Sequence, residues 1–330
     1  MSALRFGVLG AARIAPMALI EPARANAEVE VTALAARDPQ RARRFAARHG
    51  LTSVHESYEA LLSDPNVDAV YNPLPNGLHG QWTIAALEAG KHVLCEKPFT
   101  ANAEEAEAVA AVARSSGKVV MEAFHYRYHA LTARMLDIIA SGELGNVRHI
   151  STWMCIPLFM NDIRWNFALA GGSLMDTGCY TIHLLRTLAG AEPKVRTARV
   201  KLRAPNVDRF TEVEFDFADG RTGKIVTAMA STRLLSMGAR VTGSAGEMRV
   251  SNPIAPQFFH QLEVRTGGGR RKEQVAKQPS SYAAQLQAFT DAVLRGKAFP
   301  THIDDSIANM RVIDACYAAA GLPRREPSRR

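Results

Sequence analysis

The chain has 330 residues, 47% of them hydrophobic and 22% charged, with 40 Lys plus Arg against 32 Asp plus Glu and a formal net charge of +8. At about 150 residues per domain that length predicts two domains, and the near-average composition excludes collagen, a disulfide-stapled miniprotein, a disordered tail protein and a long coiled coil. No apolar run reaches the roughly 18–20 residues of a membrane span, and Met1-Ser2-Ala3-Leu4-Arg5-Phe6-Gly7 lacks a signal peptide's layout, so a cytoplasmic protein with no membrane partner is expected.

The first 123 residues alternate strand-like and helix-like patterns. Leu4 to Leu9 is a short apolar run ending at Gly10, followed by a helical pattern from Ile14 to Ala25. Strand Val29 to Ala36 and helix Pro39 to His49 come next, then a short helix from Ser57 to Leu62 and a strand from Asp68 to Asn72. Helix Leu78 to Ala89, strand Lys91 to Cys95, helix Ala103 to Ser115 and strand Lys118 to Glu122 complete the series. Repeats of this length imply a parallel sheet with helices on both faces, an α/β dinucleotide-binding domain over 1–123.

The rhythm then changes. After a helix near Leu131 to Ser141, strands are expected at Val147 to Met154, Val195 to Leu202, Thr211 to Phe217, Gly223 to Ser231 and Gly238 to Val241. Thr211 to Phe217 alternates strictly, as a sheet with one solvent face requires, and Ala218-Asp219-Gly220 supplies a hairpin turn. Gly267 to Lys272 reads as an exposed loop, and helices return at Tyr282 to Arg295 and Asp304 to Ala320. Residues 124–330 are therefore expected to form an α+β domain with an open-faced, mostly antiparallel sheet, for substrate binding and oligomerisation, whose last helices pack back on the first domain.

Basic clusters at Arg37 to Arg48, Arg270-Arg271-Lys272 and Arg324 to Arg330 lack the aromatic interleaving or zinc spacing of a nucleic-acid module, so no nucleic-acid partner is expected. The tail is expected to fray. Cys95, Cys155, Cys179 and Cys316 form no Cys-x-x-Cys pair and read as small core residues, and no metal-ligand set is evident.

Chemistry concentrates at strand ends. Gly10-Ala11-Ala12-Arg13-Ile14-Ala15 forms the first strand-to-helix turn, where small residues let backbone N–H groups approach a pyrophosphate; the glycine fingerprint appears here as G-x-A-x-x-A. Where an NAD site usually carries an acidic residue, this chain has Ala36 followed by Arg37, with Arg41 one turn on. An arginine fork suits a 2′-phosphate, so NADP is expected ahead of NAD. The competing reading is that Arg37 faces solvent while Asp38 caps the next helix. Glu96-Lys97-Pro98 follows the strand ending at Cys95, at the carboxyl edge where such sheets bind ligands. Lys97 there can polarise a carbonyl oxygen, with Glu96 fixing the ammonium; an ordinary surface lysine is the alternative.

These residues resemble the Gfo/Idh/MocA family of NAD(P)-dependent oxidoreductases. The resemblance runs through nearly the whole chain, by way of Pro75-Asn76-Gly77-Leu78-His79, Ala89 to Pro98, Gly142-Glu143-Leu144-Gly145, Gly171 to Tyr180 and Gly243-Ser244-Ala245-Gly246. It implies a Rossmann domain, an open-faced sheet domain, and substrates that are mostly sugars, polyols or related alcohols and ketones. Many members carry a catalytic His four residues after the Asp of the second-domain motif, and a further Asp; here Tyr180 and His183 stand in those places. The tyrosine variant resembles dimeric dihydrodiol dehydrogenases, NADP-dependent xylose dehydrogenases and keto-sugar reductases.

On that resemblance Tyr180 is the general acid/base, its pKa lowered from about 10 by Lys97, and Asp176 orients substrate or tyrosine. A tyrosine on an apolar helix is otherwise more often core. Pro73, Asn76 and His79 are placed by the resemblance near the nicotinamide ribose and the lysine, a helix-starting His without a ligand being the alternative. Glu122, Arg164 and Trp165 resemble cofactor or substrate contacts. In Phe124 to His129, domain-junction packing competes with a polar substrate wall whose best member is Arg127. Tyr180, Asp176 and Arg127 would face a small-molecule substrate. The expected activity is NADP(H)-dependent hydride transfer at a secondary alcohol or ketone, against a dinucleotide sensor or an NAD-dependent glycoside hydrolase on the same fold. An apolar sheet face built from Met154 to Met160 and Ile225 to Met229 is expected to pair two copies, a dimer of dimers also being open, unless Pro253 to Lys277 folds over it.

Overall fold

Short buried strands joined by amphipathic helices close only as a parallel sheet with right-handed crossovers. The computed structural model describes residues 3–159, 161–232, 235–275 and 279–328. Its first sheet comprises β1 (Leu4–Leu9), β2 (Val29–Ala35), β3 (Ser53–His55), β4 (Ala69–Asn72), β5 (His92–Cys95) and β6 (Val120–Glu122). The order β3-β2-β1-β4-β5-β6, all parallel, is the doubly wound order of dinucleotide-binding domains. A π-helical turn (Pro16–Ile20) runs into α1 (Glu21–Arg24), and α2 (Pro39–His49), α3 (Tyr58–Leu62), α4 (His79–Glu88) and α5 (Ala103–Ser116) cover the sheet. Local chemistry sets the helix limits: Asp38 caps α2 through the amides of Gln40 and Arg41, and Gly50 ends it at φ 75°.

The second sheet has eight strands: β7 (Val147–Cys155), β8 (Lys194–Ala204), β9 (Val207–Asp216), β10 (Thr222–Ala228), β11 (Ser236–Gly243), β12 (Gly246–Ser251), β13 (Gln261–Thr266) and β14 (Gly269–Glu273). Their order is β14-β13-β12-β11-β7-β10-β9-β8, antiparallel except for the parallel β7 and β10 pair. Helix α6 (Ala130–Ala140) follows the first sheet, and α7 (Cys179–Ala189) lies on the inner face, where Thr152 donates to the Thr181 carbonyl at 2.8 Å. Helices α8 (Ser281–Arg295) and α9 (Ile303–Ala319) return to the first sheet's side. Phe289 on α8 meets Phe6 at 5.4 Å between ring centres, and the Ala103 amide at the start of α5 donates to Asp314 on α9. No helix among the described residues is long and apolar enough to cross a membrane.

Four expectations change. Gly267 to Lys272 is not an open loop: β13 turns at Gly269 (φ 125°) into β14, an edge strand whose Arg270 and Arg271 take Glu263 and Glu143 at 2.5 and 2.6 Å. The segment after Pro253 thus lengthens the sheet rather than covering it; Lys277 lies outside the described residues. The tail does not fray as far as Ser328, for Arg325 is fully buried; Arg329 and Arg330 lie outside the described residues. The outward sheet face is mostly polar. Ile225 pairs in register with Thr152 and shares its inward face, and Met229 is fully buried. On the outward face lies a small apolar group of Trp153, Phe210 and Val226 over the fully buried Cys155 and Ala228, among ion pairs such as Lys224 with Glu212 at 2.9 Å, while Phe159 beyond β7 is exposed. Met160 lies outside the described residues.

Candidate active site

The carboxyl ends of β1, β4, β5 and β6 converge on one crevice, and each carries a residue singled out by its type. After β1, Gly10 adopts φ 91°, a left-handed conformation that glycine tolerates without strain. A Cβ there would press on Leu74 at 3.1 Å. Ala11, Ala12, Arg13 and Ile14 form the turn, with Ala11 buried and Arg13 exposed. Arg41 crosses from α2 to donate to the Ala11 carbonyl at 2.7 Å. Ala11, Arg13, Arg41, Arg44, Phe45 and Arg48 line a basic cleft of about 430 Å³ beside this turn. Arg37 is exposed at the end of β2, and Asp38 caps α2 as the competing reading had it. The turn offers room for a backbone-bound pyrophosphate, and the cleft beside it offers positive charge for a phosphorylated ribose. The residues fit a dinucleotide.

After β5 stands Lys97. Its ammonium donates to the Asp176 carbonyl at 3.0 Å and to the Asp176 carboxylate at 3.2 Å, and lies 4.9 Å from the centre of the Tyr180 ring. A π-helical turn (Leu174–Gly178) runs straight into α7, so Asp176 and Tyr180 approach Lys97 from one continuous helix. The other Asp176 oxygen accepts from Arg164 at 3.1 Å, and Arg164 also grips Asp162 through two bonds of 2.9 Å. Burial pushes the Asp176 pKa up, but Lys97 and Arg164 overcome it and hold the carboxyl below its usual range. Burial equally works against the Lys97 charge, and Asp176 overcomes it, leaving the lysine raised.

Tyr180 departs from its expected ionisation. Burial, then the neighbouring Tyr282 and Glu96, push the phenol well above 10. Proximity to a cation is outweighed because the tyrosine is only 6% exposed and Lys97 is already paired with Asp176. It is therefore a protonated donor. Glu96 does not clamp Lys97: its carboxylate accepts from Tyr71 at 2.7 Å, and burial raises its pKa.

The remaining residues divide. His79 is buried between two crevice loops, with Nδ1 2.7 Å from the Pro98 carbonyl and Nε2 2.7 Å from the Leu74 carbonyl; the neutral ring donates to one of them, and neither nitrogen is open to a ligand. Burial lowers its pKa to about 4. Pro73 is half-buried at the start of the same loop, and Asn76 donates to the Ala170 carbonyl at 3.2 Å, tying that loop to the Gly171-Gly172 turn. Arg164 spends its guanidinium on the two aspartates. Trp165 donates to the Phe159 carbonyl at 2.9 Å, with Arg203 stacked 4.8 Å from its ring centre. Arg127 is half-buried at the domain junction. Glu122 is 1% exposed, neither carboxyl oxygen meets a donor in good hydrogen-bond geometry, and burial pushes its pKa to about 8.

The sequence reading missed the support behind Tyr180. Phe124 meets the Tyr180 ring edge-on at 5.5 Å and stacks on His183 at 4.0 Å. His183 bonds the Tyr126 hydroxyl at 2.6 Å and Asp305 at 2.8 Å, and Arg186 reaches Asp305 at 3.0 Å. His183 is thus a buried link in a chain that ends on α9. Asp162 was missed as well; its spacing of two from Arg164 was the available signal.

Residues 4–124 match a family described as the oxidoreductase family with an NAD-binding Rossmann fold, and residues 132–249 match the GFO/IDH/MocA C-terminal domain. The chain belongs to the Gfo/Idh/MocA oxidoreductase family. It is 36% identical to D-xylose 1-dehydrogenase (NADP(+)) 2 of Haloferax volcanii, over 96% of this chain and 97% of that protein. It is 31% identical to trans-1,2-dihydrobenzene-1,2-diol dehydrogenase of Mus musculus, over 82% and 80%. Among solved structures it is similar to KijD10, a 3-ketoreductase of Actinomadura kijaniata in complex with NADP and TDP-benzene, with a TM-score of 0.90 and 30% identity over 96% of this chain and 98% of that one.

Proposed function

We propose that the protein transfers a hydride between NADP(H) and a secondary alcohol or ketone of a sugar, polyol or dihydrodiol-like substrate. The observation that carries this reading is the placement of Lys97 against both Asp176 and the Tyr180 ring, at the carboxyl edge of a dinucleotide-type sheet. The NADP named in the xylose dehydrogenase and the 3-ketoreductase supports the cofactor assignment. So does the basic cleft beside Ala11.

Gly10 to Ile14 would hold the pyrophosphate, and Arg37 with Arg41 the 2′-phosphate. The nicotinamide supplies or accepts the hydride. During ketone reduction Tyr180, kept protonated by burial, gives its proton to the substrate oxygen as charge develops there. Lys97 stabilises that charge electrostatically, its ammonium held in place by Asp176, and the crevice's low exposure strengthens the interaction. Oxidation runs the same path backwards and starts from the Tyr180 phenolate, the minor form under this burial, which takes the proton from the substrate hydroxyl as the hydride leaves. Arg164 fixes the second Asp176 oxygen, so the aspartate cannot swing away from the lysine.

The test is nicotinamide absorbance with NADP+ or NADPH over a panel of aldoses, polyols, keto-sugars and dihydrodiols. Steady turnover is expected, faster with NADP(H) than NAD(H). Tight cofactor binding with no turnover on any member, or cleavage of an aryl glycoside, would overturn the reading. We further propose that two copies pair through the outward sheet face around Trp153, Phe210 and Val226 in the cytoplasm. Light scattering over a dilution series is expected to keep a dimer; a fully active species of 35.9 kDa would refute it.

A further inference from the structure

A charged C-terminal segment without periodicity should stay in solvent, yet this one is drawn through the molecule. Arg325 and Asp208 are both fully buried and meet at 3.1 Å. The Arg325 Nε donates to the Gly171 carbonyl at 2.8 Å, and the guanidinium stacks 4.1 Å from the Tyr317 ring centre. The Arg325 carbonyl accepts from Asn102 at 2.7 Å. Three residues on, the Ser328 amide donates to the Gly77 carbonyl at 2.7 Å and its hydroxyl to the Ala168 carbonyl at 2.6 Å.

A buried ion pair holds only where hydrogen bonds satisfy the remaining polar atoms. Here Asp208 is saturated. One oxygen accepts from Tyr317 at 3.0 Å besides Arg325; the other accepts from the Ser173 hydroxyl and the Leu174 amide at 2.7 Å and from Thr211 at 2.8 Å. Leu174 opens the turn that carries Asp176. Two motif glycines make room for the strap: a Cβ on Gly172 would run into Asp208, Arg325 and Tyr317, and one on Gly77 into Ser328. Both glycines belong to segments bordering the crevice, so the strap closes on the site from two sides.

We propose that Arg325 is a positioning residue. Through Asp208 it fixes the amide end of the turn bearing Asp176, and hence the aspartate that holds Lys97, while Ser328 clamps the Asn76 to Leu78 turn against residues 164–172. The kinetic part of this proposal rests on the hydride-transfer reading; the structural part does not.

The experiment compares the full chain, Arg325→Met, and a chain ending at Glu326, which keeps the ion pair but loses the Ser328 clamp. Hydrogen exchange is read peptide by peptide, and turnover is normalised to NADPH-binding sites counted by fluorescence titration. In Arg325→Met, residues 164–178 should lose protection while β1, β4 and β5 keep theirs, and turnover per binding site should fall at least about tenfold with NADPH affinity within about threefold. In the shortened chain, loosening should be confined to residues 76–79 and 164–172, with a fall of roughly threefold to tenfold. Should Arg325→Met fail to fold, Arg325→Lys, which keeps the charge but lacks the Nε bond to the Gly171 carbonyl, decides by the same two readouts. Unchanged exchange over those segments in a folded variant, or lost protection with unchanged turnover per site, would overturn the proposal. If the full chain turns over none of the substrates, the hydride-transfer reading fails and the exchange arm still judges the strap.

Discussion

The Lys97 ammonium donates to the Asp176 carboxylate at 3.2 Å while standing 4.9 Å from the centre of the Tyr180 ring. One cation thereby joins a loop after β5 to two positions of the helix that ends in α7. Burial disfavours the charge on Lys97, and Asp176 restores it.

Asp176→Asn should therefore slow turnover by at least about tenfold with little change in NADP affinity, because it removes a charge acting on the reacting groups rather than on the cofactor. The sign of its pH effect follows from Lys97. With Asp176 neutral, burial is no longer outweighed, the lysine pKa falls, and the alkaline limb of the pH–rate profile should move to lower pH. A limb that stays in place would dissociate Lys97 protonation from the rate.

Arg37→Asp should weaken NADP binding far more than NAD binding, since it sets a like charge against the 2′-phosphate. Arg41→Ala should weaken both cofactors, because Arg41 also holds the Ala11 carbonyl of the turn after β1, where the pyrophosphate is proposed to bind. Calorimetry with each cofactor separates the two roles; equal losses for both cofactors in Arg37→Asp would remove that residue from the phosphate site.

Each buried histidine should make its own contribution to stability fall with acid. Burial lowers His79 to about 4 and His125 to about 3, against an ordinary 6.5. Above about 6.5 both states are neutral and nothing is lost. Below it the unfolded chain takes up protons that the folded chain refuses, so stability falls as pH drops, by about 1.4 kcal/mol per pH unit for each histidine, until the folded pKa is reached. Glu122, pushed to about 8 by burial, and Glu105, pushed to about 7, act with the opposite sign over much of this range, because the folded chain keeps protons there that the unfolded chain gives up. Denaturant titrations between about pH 6.5 and pH 4 should therefore show wild type losing stability relative to His125→Gln by about 1.4 kcal/mol per pH unit, and a difference that does not change with pH would contradict it.

The parts legible in the sequence are those whose physics is local. The apolar run Leu4 to Leu9 coincides with β1, Pro39 to His49 with α2, and Gly10 stands at the first strand-to-helix turn that its small residues mark. Lys97 and Asp176 come together, though 79 residues apart, because each ends or follows a recognisable element. Three features were not legible. Edge strand β14 is Gly, Arg, Arg, Lys and Glu with both faces exposed or nearly so, and carries no alternation to read. The protonated state of Tyr180 depends on burial, which a motif does not record. The Asp208 and Arg325 pair joins residues 117 apart with no periodic pattern at either end.

The most direct test of the central claim is a double-mutant cycle on hydride transfer, using wild type, Lys97→Ala, Tyr180→Phe and the double variant with NADPH and a carbonyl substrate that wild type turns over. Each single change should cost about a hundredfold or more in rate while NADPH affinity stays nearly intact, and the double variant should be little slower than either, because both groups serve one proton transfer at one oxygen. Multiplying losses, or a Tyr180→Phe variant as fast as wild type, would contradict the account.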